Sequence, residues 1–249
     1  MFYKASALLY LQAGFGGNSA PYAVNETVIS SVLGVRYRFP SAWQIEAEIP
    51  TAVGYGGEFV SAFGNVALGA MYTTSDQGPL RFQLGVFGTL PTAPALGNLF
   101  VSGPSLLDEV RLIRGFDRAW LWIPHSLAVA PTARLSGTVA GIVEHATEAS
   151  VAPMLLLDPG RSAEVAVQLS EEVAVHVSLF RAGVRGELAG ELGSADTRGY
   201  LSLMPFAGIT GKAGFLDVGA LFDLINPQPY NAGNFAPNWG LRVRGGLRF

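Results

Sequence analysis

The chain has 249 residues, of which 49% are hydrophobic and only 14% charged, with a formal net charge of −3. That charge excludes an electrostatic case for nucleic acid, and soluble domains usually carry about 25% charged residues. The mean hydropathy of +0.33 suits a membrane protein, yet the longest apolar runs, such as Met154–Leu157, fall far short of the roughly 18 residues of a spanning helix, leaving a closed β-barrel as the other way across a bilayer.

The amino terminus reads two ways. Met1–Lys4 followed by Ala5–Leu11 resembles a remnant export signal, but one lysine and no clean cleavage site favour a first strand or a lead-in to one, with the export signal removed or lying outside this sequence. Segment 28–39 then alternates. Ile29, Leu33, Val35, Tyr37 and Phe39 share one face; Gly34, Arg36 and Arg38 share the other. Residues 40–42 form a tight turn. In 43–49, Trp43, Ile45, Ala47 and Ile49 oppose Gln44, Glu46 and Glu48. A hairpin through that turn sets Arg36 opposite Glu46, a favourable cross-strand pair. It also stacks Phe39 and Trp43 beside the turn, where an interfacial aromatic girdle sits.

Strands are predicted next at 65–72 and 80–86, joined by a turn at 75–79. Phe82, Leu84 and Val86 alternate with Arg81, Gln83 and Gly85. Segment 104–115 breaks the pattern and predicts a short helix. Ser105 is its N-cap, Asp108 and Glu109 lie in the first turn, Arg111 and Arg114 come late, and Gly115 stops it. It sits in the long stretch 93–118, where a helix can fold into a lumen and narrow it; a surface helix or another strand are the plainer readings.

Later strands are predicted near 119–131, 134–144, 149–157, 163–170, 173–182, 186–194, 198–209, 213–224 and 239–249. In 173–179, Val173, Val175, Val177 and Leu179 oppose His176 and Ser178. In 213–224, Leu216, Val218, Ala220 and Phe222 oppose Asp217, Gly219 and Asp223. The last eleven residues alternate strictly: Trp239, Leu241, Val243, Leu247 and Phe249 against Arg242, Arg244 and Arg248. In a membrane barrel the apolar face meets lipid and the arginines line a wet lumen.

Other features agree. Only two lysines occur, Lys4 and Lys212, where a soluble barrel would carry many on its surface. Cysteine is absent, which suits an oxidising envelope. Short turns near 40–42, 75–79 and 210–212 contrast with long connections near 51–62, 92–118 and 225–238, the periplasmic/extracellular asymmetry of outer-membrane barrels. With both termini periplasmic, loop 226–238 is extracellular. The fold expected is all-β: one membrane-spanning antiparallel up-and-down barrel over 1–249, with about twelve strands, fourteen as the alternative count.

The stretch from Phe63-Gly-Asn-Val-Ala-Leu-Gly-Ala-Met-Tyr72 to Leu84-Gly-Val-Phe-Gly-Thr-Leu-Pro-Thr92 resembles the outer-membrane family named for the MetA pathway of phenol degradation. That family tends to show a Gly-Asp step into an alternating strand, and a second strand ending in Leu-Pro-Thr-Gly. Here Gly64-Asn65 and Thr92-Ala93 stand at those places, and Arg36–Phe39 with Glu46–Pro50 is similar to the family's first hairpin. The resemblance is best over about 28–92. It implies an outer-membrane barrel passing small, hydrophobic or aromatic molecules. Phe249 resembles the terminal aromatic that barrel-assembly machinery recognises.

The leading functional expectation is therefore a porin-like channel in the outer membrane of a Gram-negative bacterium, with lipid and a small-molecule solute as partners. Its lumen residues would be Arg36, Arg38, Glu46, Glu48, Arg81, His176, Asp217, Asp223, Arg242, Arg244 and Arg248, with the terminal arginines near the first hairpin at barrel closure. Charged rings in a lumen set ion preference, although facing carboxylates offset an arginine-rich wall. The alternatives are a sealed barrel acting through its loops or a partner, and, as a minor reading, a lipid hydrolase. The hydrolase needs Ser, His and an acid within reach. His125-Ser126 are neighbours facing opposite ways, Ser178 shares a face with His176, and there is no Gly-x-Ser-x-Gly. No catalytic residue, cofactor or metal site is assigned.

Overall fold

The computed structural model describes residues 6–17, 27–55, 59–75, 79–94, 106–107, 110–111, 114, 117–160, 163–193, 198–225 and 239–249. The expectations for residues 1–5 and loop 226–238 lie outside them. The strands are β1 (Ser6–Gly17), β2 (Thr27–Arg38), β3 (Trp43–Tyr55), β4 (Phe59–Phe63), β5 (Val66–Ser75), β6 (Leu80–Leu90), β7 (Ser126–Val139), β8 (Val143–Leu156), β9 (Glu164–Val177), β10 (Phe180–Leu192), β11 (Arg198–Thr210), β12 (Gly214–Ile225) and β13 (Trp239–Arg248).

Neighbours in sequence pair antiparallel around the sheet, β13 pairs β1, and β2 pairs β3, so the sheet closes on itself. β4 and β5 are two pieces of one wall strand. β3 pairs Thr51–Tyr55 with β4 and Trp43–Glu48 with β5. Between Glu48↔Ala67 and Thr51↔Phe63 the β4–β5 side uses one more residue than β3, a bulge at Gly64-Asn65. The wall is thus a twelve-stranded closed antiparallel barrel, the expected architecture.

Several expected boundaries shift. Most of 51–62, expected as a long connection, is the outer part of the β3–β4 hairpin. Residues 119–121, expected within a strand, form a buried 3-10 turn, and β7 starts only at Ser126. An unbroken apolar run such as Ala119–Ile123 is buried on all sides, so it carries no alternation to mark its geometry. The divisions expected near 132–133, 145–148, 171–172 and 183–185 fall inside β7, β8, β9 and β10. β7 turns into β8 at residues 140–142, and β9 turns into β10 at Ser178-Leu179, with Ser178 at φ 57°. A two-residue turn without Gly, Asn or Pro leaves little trace in sequence.

Side-chain parity follows the expectation. Ile29, Leu33, Trp43 and Ile49 are each 44–51% exposed on the outer wall, while Gln44, Glu46 and Glu48 on the intervening positions are buried inside. That contrast fits a wall facing lipid. Aromatic side chains gather near both rims: Tyr37 on Phe39 and Trp43 on Tyr72 at the short-turn end, Tyr55 on Phe59 at the other. Phe39 and Trp43 flank the turn as expected but stack on Tyr37 and Tyr72 rather than on each other. The start of β1 and the end of β13 lie at the short-turn end, where Leu8 pairs with Arg248 and Ser6 with Arg38.

The loop-end half of the lumen is not wet. Inward residues Val28, Val32, Ala52, Met71, Phe87, Ala130 and Met154 pack against Leu106, Leu107, Val110, Trp120, Trp122 and Ile123 of the β6–β7 connection. Each large apolar side chain so buried contributes about 1.5–3 kcal/mol. The connection therefore has its own core inside the barrel.

Candidate functional site

The seat of that connection is the bulge at Gly64-Asn65. Asn65 is fully buried. Its Nδ2 donates to Trp120 O (3.2 Å), Ile123 O (2.7 Å) and Ser126 Oγ (3.0 Å), and its Oδ1 accepts from Ala93 N (3.2 Å). The Asn65 backbone N–H donates to Leu121 O at 2.6 Å. A Cβ on Gly64 would lie 2.4 Å from Leu121 O, so only glycine lets the connection approach. Thr92 closes the clasp: its Oγ1 donates to Gly64 O (2.6 Å) and accepts from Val66 N (2.9 Å). Gly64-Asn65 and Pro91-Thr92, remote in sequence, thus hold the two ends of the connection together.

From this seat the described residues of the connection reach across the lumen. Helical turns at Leu106–Leu107 and Val110–Arg111 agree with the predicted helix; Asp108 and Glu109 are outside the described residues. Arg111 reaches Glu191 of β10 at 2.5 Å. Arg114, almost fully buried, donates to Gln12 Oε1 of β1 (3.0 Å) and Ser30 Oγ of β2 (3.4 Å), and stacks over Trp122. Asp117 is gripped from the far wall. Arg242 Nη1 of β13 lies 3.1 Å from its Oδ2, Arg185 Nη2 of β10 3.3 Å from Oδ1, and Gln168 Nε2 of β9 donates to Oδ1 at 3.3 Å. Arg242 also donates to Arg114 O. Burial alone would raise the Asp117 carboxyl, but Arg185, Arg242, Arg114 and Arg118 outweigh it and hold it well below the usual carboxylate range.

Two further charge clusters line the wall. In the first, Arg36 and Glu46 form the expected cross-strand pair, bidentate at 3.1 and 3.0 Å. Arg134 of β7 joins Glu46 at 3.1 Å and Glu148 of β8. Arg118 pairs with Glu48 and lies 3.5 Å from Glu148. Phe87 lies beneath the guanidiniums of Arg118 and Arg134, at 5.0 and 5.5 Å. In the second cluster, Arg181 of β10 donates to Glu144 (2.7 Å) and Asp217 (2.8 Å) and pairs with Glu172. Arg244 donates to Glu172 (2.7 Å) and Asp217 (3.1 Å). Phe206 lies 5.0 Å beneath both guanidiniums.

A cavity of about 290 Å³ separates the clusters, lined by Gln12, Arg36, Glu48, Arg118, Glu172 and Arg244 among others. A wider one of about 680 Å³ opens at the short-turn end beside Arg81, Glu144 and Arg248. Arg38 is paired with Gln44 in the β2–β3 register at that same end, and His176 lies 3.8 Å from Glu144. Arg248 donates to Gly211 O at 3.1 Å, and Asp223 lies near the loop end of β12. Ser178 is in the turn rather than on a strand beside His176. Ser126 faces the lumen and donates to Ile123 O.

β1 stands between β13 and the Arg36–Glu46 hairpin, and Arg244 turns to Glu172 and Asp217 while lining one cavity with Arg36 and Glu48. Asp117, Arg118, Arg134, Glu148, Glu172, Arg181, Arg185, Phe87 and Phe206 join these clusters beyond the residues expected from the sequence. Arg181, Arg185 and Glu187 do share one parity in β10, a signal hidden by a boundary placed at 183–185.

No family model and no curated protein matches the sequence. Solved structures match at low identity. The NanC porin aligns over 96% of this chain and 98% of its own, with TM-score 0.62 and 10% identity. An outer membrane channel from Pseudomonas putida F1 aligns over 100% and 97%, with TM-score 0.65 and 11% identity. The KdgM porin, solved in complex with disordered oligogalacturonate, aligns over 97% and 98%, with TM-score 0.51 and 9% identity. The likeness is one of fold: this chain is an outer-membrane-type β-barrel, as its resemblance to a barrel family implied.

Proposed function

We propose that the chain is a porin-like channel of the Gram-negative outer membrane, and that residues 93–118 limit passage by lying across its lumen. The observation that carries this reading is the reach of the connection: Arg111, Arg114, Asp117 and Arg118 contact β1, β2, β3, β8, β9, β10 and β13 from within. Below it the lumen is polar and hollow. Guanidiniums there are matched to carboxylates, so the wall offers local dipoles rather than one field. Such a lining, with Phe87 and Phe206 beneath the arginines, suits small solutes with an apolar or aromatic body and a polar group. In this reading Phe249, 75% exposed after β13, serves as the assembly signal.

Arg242 and Arg244 separate two roles. Arg244→Ala removes a cation from the hollow part of the lumen and is expected to shift the reversal potential toward cation preference. Arg242→Ala loosens Asp117 and is expected to raise current with little change in preference. Unchanged currents and reversal potentials in both variants would count against this assignment. The second reading, a sealed barrel, is favoured by the near-complete burial of Trp120, Trp122 and Arg114, and it predicts no current in either variant.

A further inference from the structure

One polar cluster faces the wrong way. On β9, Leu169, Glu171, Val173, Val175 and Val177 all point outward, and the four apolar residues are 45–63% exposed, except that Glu171 sits among them with 44% of its side chain exposed. Its Oε1 lies 3.0 Å from His145 Nε2, and its Oε2 accepts from the Thr147 hydroxyl; both partners are on the outer face of β8. Three valines separate Glu171 from the short turn at Ser178-Leu179. Six residues at about 3.3 Å each, tilted about 40°, place it roughly 15 Å above that turn, and His145, three residues past the turn at 140–142, stands roughly 8 Å above its own, both within an apolar band about 25 Å tall. A carboxylate and an imidazole facing hydrocarbon there are costly unless something covers them.

The wall around them is recessed. Glu171 is flanked in register by Thr147 and by Gly186, which has no side chain to shield it. Beside the cluster, toward the loop end, the outer wall holds an apolar groove of about 650 Å³. Pro131, Ala133, Ala149 and Gly190 line it, with Leu169 and Leu188 also contributing.

We propose that this β7–β10 face is where a second copy of the chain packs in the plane of the membrane, forming a two-fold dimer. The argument is self-complementarity. His145 and Glu171 touch, so they stand at one height. A two-fold axis along the membrane normal brings the imidazole and carboxylate of one copy to the carboxylate and imidazole of the other. The same rotation sets one groove and its leucines against their equivalents. A lipid tail would fill the groove but would offer nothing polar to the outward side of the His145–Glu171 pair.

The chain has no cysteine, so Ala149→Cys supplies a unique thiol at the proposed contact, and Leu33→Cys on β2 supplies one across the barrel. Intact outer membranes carrying each full-length variant are treated with a short bismaleimide. Ala149→Cys is expected to yield at least about tenfold more covalent dimer than Leu33→Cys. Adding Glu171→Leu and His145→Leu to Ala149→Cys is expected to lower that yield about tenfold, with the barrel still migrating as folded in unheated gels. Equal yields at the two thiols, cross-links only to other proteins, or a dimer band indifferent to the double substitution would each overturn the proposal. None of these outcomes depends on whether the lumen conducts.

Discussion

Replacing Asp117 by Asn tests whether the inserted segment is a latch. The substitution keeps shape and one acceptor but removes the charge that Arg242 (3.1 Å), Arg185 (3.3 Å) and Arg114 (3.9 Å) surround. Breaking a buried ion pair from one side costs about 3–5 kcal/mol. Here the lower figure applies, because Arg185 keeps Glu187 and Glu172 nearby and Arg242 keeps the Arg114 carbonyl. About 3 kcal/mol corresponds to roughly a 100-fold change in the ratio of seated to unseated segment. The assay is single-channel recording in planar bilayers, scoring the fraction of time spent in the higher-conductance state. Asp117→Asn should raise that fraction by up to about 100-fold, and Asp117→Glu, which keeps the charge, should raise it less. A folded Asp117→Asn barrel with wild-type occupancy of both states would refute the latch.

Two other outcomes follow from the same geometry. Asn65→Ala leaves the buried Trp120 carbonyl and the Ala93 N–H without the amide that serves them; at about 1–3 kcal/mol for each buried group left unpaired, protease clipping within the connection should rise at least tenfold, and an unchanged rate would contradict the clasp. The second concerns pH. The Asp117 carboxyl is held well below its ordinary range by its arginines, against the effect of burial. A depressed pKa contributes stability that is fully present above the unfolded value of about 3.9 and lost only as pH falls through the folded value. Channel noise should therefore stay constant from about pH 7 to about pH 5, and a rise within that window would place the latch on another group.

The barrel was legible where the two faces of a strand differ in chemistry. β2, β3 and β13 each set apolar residues against Arg, Glu or Gln, and their parity, the Arg36–Glu46 pair and the girdle near Phe39 follow from alternation alone. Contrast fades where the lumen is itself apolar. Val28, Val32 and Met71 point inward because the β6–β7 connection covers them, and nothing local announces that cover. The Gly64-Asn65 step stood out as a motif, but its work depends on carbonyls more than fifty residues away. Asp117 and Arg118 carry no periodicity at all; their meaning comes from β3, β8, β10 and β13, brought to them by barrel closure.

The central claim is that a conducting barrel is limited by its own inserted segment. The most direct measurement is the conductance of the reconstituted full chain beside that of a variant lacking residues 93–118, each verified as folded by its gel migration before heating. The account predicts small or intermittent currents from the full chain and large, steady ones from the shortened chain. No current from either form, or identical currents from both, would contradict it.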